Sequence, residues 1–147
     1  MAHRGLGRLI ELADTSAWTN RHKDARVFAE FNARVAQQHV MTCDIVKLEL
    51  LWTAQDHADF VALRRELDDL PSVPIQPPLW RRAIDVLEQF ARRGPLHHRQ
   101  VALPDLLVAA AAELRDIPVC HYNRDFELIA EVTGQPVRAI APLGSLS

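Results

Sequence analysis

The sequence predicts an α/β fold, a mainly parallel sheet with helices on both faces. Short apolar runs of four or five residues, at 9–13, 39–43, 118–122 and 137–140, alternate with segments whose apolar residues repeat at helical spacing. Strands that alternate with helices pair in parallel, because each helix packs back onto the sheet as a crossover. Length is the second observation. A chain of 147 residues buries roughly 70% of the surface exposed by its unfolded form, enough for one core. No internal repeat, low-complexity tract or interdomain linker divides it, so 1–147 is expected to be a single domain.

Local signals justify each element in turn. The first strand, 9–13, is apolar apart from Glu11 and leads into a turn at Asp14. Val27, Phe28, Phe31 and Val35 share one side of a helix over 24–38. A second strand covers 39–43, and Asp44 is placed to cap a helix through Gln55. Phe60, Leu63, Leu67 and Leu70 stripe a helix over 57–70, so these two helices should form a hairpin. The segment PSVPIQPP holds a short strand at most. Pro78 suits the first turn of a helix bearing Trp80, Ile84, Leu87 and Phe90, and Gly94-Pro95 ends it. Pro104 opens a helix to about Asp116 that is apolar almost all round and therefore central to the core. A strand over 118–122, a helix capped by Asn123 and running to Val132, and a strand over 137–140 follow. Residues 1–8, MAHRGLGR, are expected to be an N-terminal extension or a misassigned start.

Composition narrows the function. With 48% hydrophobic and 24% charged residues, and no apolar run of the roughly 18 residues that span a bilayer, the chain reads as an ordinary globular protein rather than a membrane protein. The apolar run before Asp14 is interrupted by Glu11 and is too short for a signal-peptide core, so a cytoplasmic location is expected. Cys43 and Cys120 each end a strand in apolar surroundings, which suits buried free thiols. The net charge of −2 gives no overall attraction to nucleic acid, yet five arginines (Arg81, Arg82, Arg92, Arg93, Arg99) stand against Asp85 and Glu88 between Trp80 and Arg99. Such a run is either a solvated helix face or a phosphate-contacting one. Arg99 lies six residues before Asp105, in a loop expected beside that carboxylate.

Four acidic residues are not explained by a polar surface run: Asp14 in LIELADTSAW, Glu49 in KLELLW, Asp105 in LPDLLVAAAAE and Asp125 in HYNRDFELIAE. Three of them have a structural explanation when taken singly. Asp14 suits a helix N-cap, and Asp105 and Asp125 fall in first helical turns, where the macrodipole favours a carboxylate by about 0.3–1 kcal/mol. Glu49 is harder to dismiss, because Ile45, Val46, Trp52 and Thr53 are its helical neighbours and an unpaired buried charge is costly. Asp14 and Asn123 to Asp125 directly follow strands, and ligands of open parallel sheets bind outside the carboxyl ends of the strands.

If the fold gathers these acids, a cation must accompany them. Two carboxylates about 4 Å apart repel by about 4 kcal/mol at an effective dielectric near 20. Oxygen-only ligands select a hard cation, Mg²⁺ or Mn²⁺, that keeps water and phosphate oxygens in its remaining positions. The chemistry that follows is phosphodiester hydrolysis by a metal-activated water. Other chemistries lack their signatures. No glycine-rich turn follows the first strand, as a dinucleotide site requires, and D-T-S lacks the second aspartate of a phosphoaspartate hydrolase. The seven histidines make no zinc spacing, His97 and His98 being adjacent.

At these residues, in order from DTSAW through KLELLW and LPDLLVAAAAE to HYNRDFELIAE, the sequence resembles the PIN-domain family and, within it, the VapC-type toxin ribonucleases of bacterial toxin-antitoxin pairs. The likeness covers nearly the whole chain. It implies a three-layer α/β/α PIN fold, endoribonuclease activity dependent on Mg²⁺ or Mn²⁺, an RNA substrate, neutralisation by a VapB-like antitoxin, and a homodimer. Carried over residue by residue, it makes Asp14 and Asp105 the principal metal ligands. Glu49 and Asp125 would complete the cluster directly or through water, and Ser16 would orient Asp14 or a bound water. Many relatives carry an acid where Asn123 stands, so Asp125 takes the place of the fourth carboxylate and Asn123 supports a metal-bound water. Arg99 and Arg124 are the expected RNA contacts. The apolar stripe of the helix hairpin is either ordinary packing or a groove for an amphipathic antitoxin segment. A rival from another class keeps the PIN scaffold as an RNA-binding or protein-interaction module with little catalysis, and the intact set of four acids argues against it.

Overall fold

A computed structural model describes residues 9–147, and the extension expected at 1–8 lies outside the described residues. Four strands, β1 (Glu11–Ala13), β2 (Val40–Met41), β3 (Val119–His121) and β4 (Val137–Ala139), form one sheet in the order β2-β1-β3-β4. Every pairing is parallel. Around them lie α1 (Thr15–Asn20), α2 (Ala25–Ala36), α3 (Asp44–Trp52), α4 (His57–Asp68), α5 (Pro77–Arg92), α6 (Leu103–Arg115) and α7 (Arg124–Thr133), with 3₁₀ turns at Arg21–Lys23 and His97–Arg99.

The alternation of side chains along the strands produces three layers. Leu12, Met41 and Val119 point into the larger core with Val46, Leu67, Phe90, Val108 and Phe126, from α3 to α7. Ala13, Val40 and Cys120, one residue out of step, meet Ala17 of α1 and Phe31 of α2 on the opposite face. Leu106 and the run from Val108 to Ala112 are buried on α6, as its all-round apolar character requires. On the smaller face, Glu11 is buried but paired: Arg138 grips it through two hydrogen bonds of 2.7 and 2.8 Å, and Arg34 stands 3.2 Å away. That pairing explains how a charge can interrupt the first apolar strand. Cys43 and Cys120 are buried free thiols, and burial pushes the Cys120 thiol up to about 12. Among the described residues no helix is long and apolar enough to cross a membrane.

Several local expectations change. Asp14 opens a six-residue helix, α1, where a turn was expected, and caps it by accepting from Ser16 N. Asp44 does not cap α3. Cys43 occupies the N-cap with an extended backbone, and Asp44 is the first helical residue, where its charge meets the positive end of the dipole. α3 also stops at Trp52, short of Gln55, because Thr53 turns back to bond Leu50 O through both its main chain and its hydroxyl. PSVPIQPP supplies one parallel bridge, from Ser72 to Thr42. The buried row of α5 is Leu79, Ala83, Val86 and Phe90, whereas Trp80 and Ile84 are 51% and 64% exposed. The buried stripe of α5 is therefore offset from the one expected, with Phe90 common to both.

From β1 the chain crosses to β2 on one side, then returns to β3 on the other side of β1. The crevice at the carboxyl ends of β1 and β3 is the reversal point of the sheet, where parallel α/β folds bind ligands. Asp14 ends β1 there, and Asn123 follows β3 into α7.

Candidate metal centre

Asp14 is 2% exposed, and its two oxygens have different fates. Oδ2 accepts from Ser16 N at 3.0 Å and from Ser16 Oγ at 2.7 Å. Oδ1 is buried with no partner. The capping role thus accounts for half of the carboxylate and leaves the other half unexplained. Ser16 Oγ also accepts from Tyr122 N at 2.9 Å, so one hydroxyl locks the end of β1 to the end of β3. Ser16 thus bonds the Asp14 carboxylate through both its main chain and its hydroxyl.

Glu49 projects from the half-buried side of α3, and its Oε1 accepts from Thr15 Oγ1 at 2.6 Å. Asp105, in the first turn of α6, is 7% exposed. Its Oδ2 accepts from Asn123 Nδ2 at 3.3 Å. The Asp105 carboxyl is pushed up to about 8, first by burial, then by its hydrogen bond with Asp125, then by the negative charges of Asp14, Asp125 and Glu49. Those causes name the neighbours: Asp14, Asp125 and Glu49 all lie close enough to act on the Asp105 carboxyl. Asp125 accepts from Ala102 N through Oδ2 at 3.0 Å, which ties the loop before α6 to the start of α7. Asn123 caps α7 by accepting from Asp125 N at 2.9 Å.

The four acids, Ser16 and Asn123 therefore come together. Arg99 and Arg124 are both exposed, Arg99 in the 3₁₀ turn whose following segment Asp125 anchors and Arg124 beside Asp125 at the start of α7. Sequence reasoning missed Thr15 and His121. Thr15 sits inside the D-T-S motif, so its hydroxyl beside Asp14 was a usable signal. His121 ends an apolar strand, where nothing in the pattern distinguishes it from an ordinary core residue.

The donor set fits a hard divalent cation. It consists of oxygens only, it includes a buried carboxylate oxygen without a partner, Asp14 Oδ1, and it includes the Asp105 carboxyl, pushed up to about 8 first by burial and then by its acidic neighbours. A cation would satisfy the first and displace the proton of the second. Among the described residues no group of three or more His, Cys, Asp or Glu side chains is arranged to hold a metal ion by itself. A cation of the Mg²⁺ type needs only one or two direct carboxylates and keeps several waters, and that open mode suits the set.

Comparison with known proteins identifies the family of the fold. Residues 12–132 match the PIN domain family. Ribonuclease VapC18 of Mycobacterium tuberculosis is 39% identical over 140 residues, spanning 94% of this chain and 100% of that protein. Ribonuclease VapC21 of the same species is 40% identical over 106 residues, 70% of this chain and 74% of that one. The DNA-bound VapBC structure from Salmonella typhimurium shares the fold with a TM-score of 0.70 at 18% identity, over 90% of this chain and 99% of its own. A toxin-antitoxin complex from Klebsiella pneumoniae gives a TM-score of 0.65 at 19% identity, over 89% and 98%. With the acids of DTSAW, KLELLW, LPDLLVAAAAE and HYNRDFELIAE gathered at the reversal point of a parallel sheet, the chain belongs to the PIN-domain family, among its VapC-type members.

Proposed function

We propose that this protein is an endoribonuclease that hydrolyses RNA phosphodiester bonds with Mg²⁺ or Mn²⁺ and acts as the toxin of a toxin-antitoxin pair, restrained by a VapB-like antitoxin. The observation that carries the reading is the convergence of Asp14, Glu49 and Asp125 on the buried Asp105 carboxyl, whose proton a cation would displace. Relatives named ribonucleases support the RNA substrate.

Asp14 and Asp105 would hold the cation, with Glu49 and Asp125 completing the set directly or through water. The bound cation would supply an activated water and neutralise charge developing on the phosphate. Ser16 fixes the Asp14 carboxylate against rotation, Thr15 does the same for Glu49, and Asn123 steadies Asp105. Arg99 and Arg124, both exposed, would engage backbone phosphates of the RNA. The α3–α4 hairpin leaves Leu48 and Trp52 70% and 87% exposed, and an amphipathic antitoxin segment would cover such an apolar surface.

Purified protein should be incubated with a broad set of structured and unstructured RNAs plus Mg²⁺ or Mn²⁺, beside EDTA and the variants Asp14→Asn and Asp105→Asn. Asparagine remains a good N-cap, so Asp14→Asn removes the charge and retains the start of α1. Cleavage abolished by EDTA and by both substitutions is the expected result. Cleavage that survives them would sink the metal reading, and inactivity across many RNAs would favour a binding module. Co-purification with the product of an adjacent small reading frame tests the antitoxin.

A further inference from the structure

We propose that His121 is a positioning residue for the acidic site, holding the β3–α7 turn so that Asn123 stays bonded to Asp105 and α7 presents Asp125. The inference rests on the metal-site reading above and goes one layer behind it. His121 is fully buried at the end of β3, where an imidazole must satisfy both ring nitrogens. Nδ1 accepts from Asn123 N at 3.1 Å. The ring proton therefore sits on Nε2, which donates to Glu127 Oε2 at 2.8 Å. Burial lowers the His121 pKa, consistent with a neutral ring. The ring also lies 5.3 Å, centroid to centroid, from Phe126, so it cannot swing without disturbing the core.

The consequence appears at Asn123, whose polar groups are all directed. Its N–H goes to His121, its Oδ1 accepts from Asp125 N, and its Nδ2 donates to Asp105 Oδ2. The side-chain amide is thereby held with its donor toward Asp105, and the Asp125 carboxylate is left free to bond Ala102 N. An apolar side chain at 121 would fill the same space and leave the Asn123 N–H without an acceptor, so packing alone does not account for an imidazole here.

Two substitutions separate the ring's two contacts. In His121→Asn the amide oxygen takes the place of Nδ1 and keeps the acceptor for Asn123. In His121→Gln the amide reaches the place of Nε2 and keeps the contact with Glu127 only. Three measurements are made: thermal unfolding, hydrogen exchange of the Asn123 amide in metal-free protein, and Mn²⁺ affinity by calorimetry. The expected result is similar unfolding temperatures for the two variants, faster Asn123 exchange in His121→Gln, and Mn²⁺ binding on the order of tenfold weaker in His121→Gln than in His121→Asn, the scale of a lost outer partner of a metal ligand. Equal Asn123 exchange or equal Mn²⁺ affinity in the two variants would overturn the proposal. Should neither variant fold, the ring nitrogen resonances of the wild type decide: an Nε2–H tautomer supports the role, and an Nδ1–H tautomer refutes it. A wild type that neither binds Mn²⁺ nor cleaves RNA would defeat the functional reading, and the exchange and tautomer measurements would still judge His121.

Discussion

Replacing Asp105 by Asn should stabilise the metal-free protein at alkaline pH while removing its response to metal. The folded state keeps a proton on Asp105 up to about pH 8, whereas the unfolded chain releases it near 4. Between those values the folded state binds more protons than the unfolded one, so this group makes wild-type stability fall as pH rises from about 4 and level off above about 8. Moving a carboxyl from its ordinary 3.8 to about 8 corresponds to a ceiling of roughly 6 kcal/mol, which structural relaxation and water entry reduce. Asparagine has nearly the same shape, carries no charge and can donate to Asp125 as the protonated carboxyl does, so it escapes this penalty. Urea unfolding in EDTA at pH 5 and pH 9 measures the effect. Asp105→Asn should gain on wild type between the two pH values by at least about 2 kcal/mol, well outside extrapolation error. Mn²⁺ at a hundredfold excess over Kd should then stabilise wild type by about 2.7 kcal/mol and leave the variant unmoved. Parallel pH dependence in the two proteins would refute the reasoning, because it would mean that Asp105 titrates normally in the fold.

Three further outcomes follow from the same contacts. Ser16→Ala removes the hydroxyl donor to Asp14, leaving only the Ser16 N–H, and strands the Tyr122 N–H, so stability should fall by about 1–3 kcal/mol and Mn²⁺ affinity by roughly 10- to 100-fold, both read on the same preparation. Thr15→Val frees Glu49 without changing the shape of α1; calorimetry should show weakened Mn²⁺ binding with an unfolding temperature close to wild type, and an unchanged affinity would place Glu49 outside the site. Arg138→Met leaves Glu11 buried with only Arg34 nearby, and urea unfolding should show a loss of about 1–2 kcal/mol, below the range for leaving a buried charge unpaired because Arg34 still pairs it and Arg138 is partly exposed, with metal affinity preserved because the pair lies on the opposite face of the sheet.

Much of the architecture was legible before any coordinates. Alternating apolar runs and helical stripes specify parallel strands with crossovers, since period and length are local properties. The all-round apolar character of α6 marks it as central, and prolines, glycine and Asn123 mark helix ends through the backbone groups they supply or withhold. Helix faces were less legible. Trp80 and Ile84 are more hydrophobic than Ala83, yet Ala83 is the residue buried in line with Leu79, Val86 and Phe90, and which stripe meets a partner is not written in the helix alone. Strand lengths were overestimated for a related reason, since Leu9 and Tyr122 lie beyond the parallel pairings of β1 and β3.

At the site the division is the same. The chain order and spacing of Asp14, Glu49, Asp105 and Asp125 identify the candidate acids, because each interrupts an apolar context that disfavours charge. Whether a carboxylate is a cap, a ligand or both depends on which groups reach its two oxygens. Only the folded chain leaves Asp14 Oδ1 without a partner, sets Asp105 among three other carboxylates, and places His121 behind Asn123. Charge interactions act through space over a few ångströms, so residues far apart in sequence can perturb one another only after the sheet has brought the ends of β1 and β3 side by side.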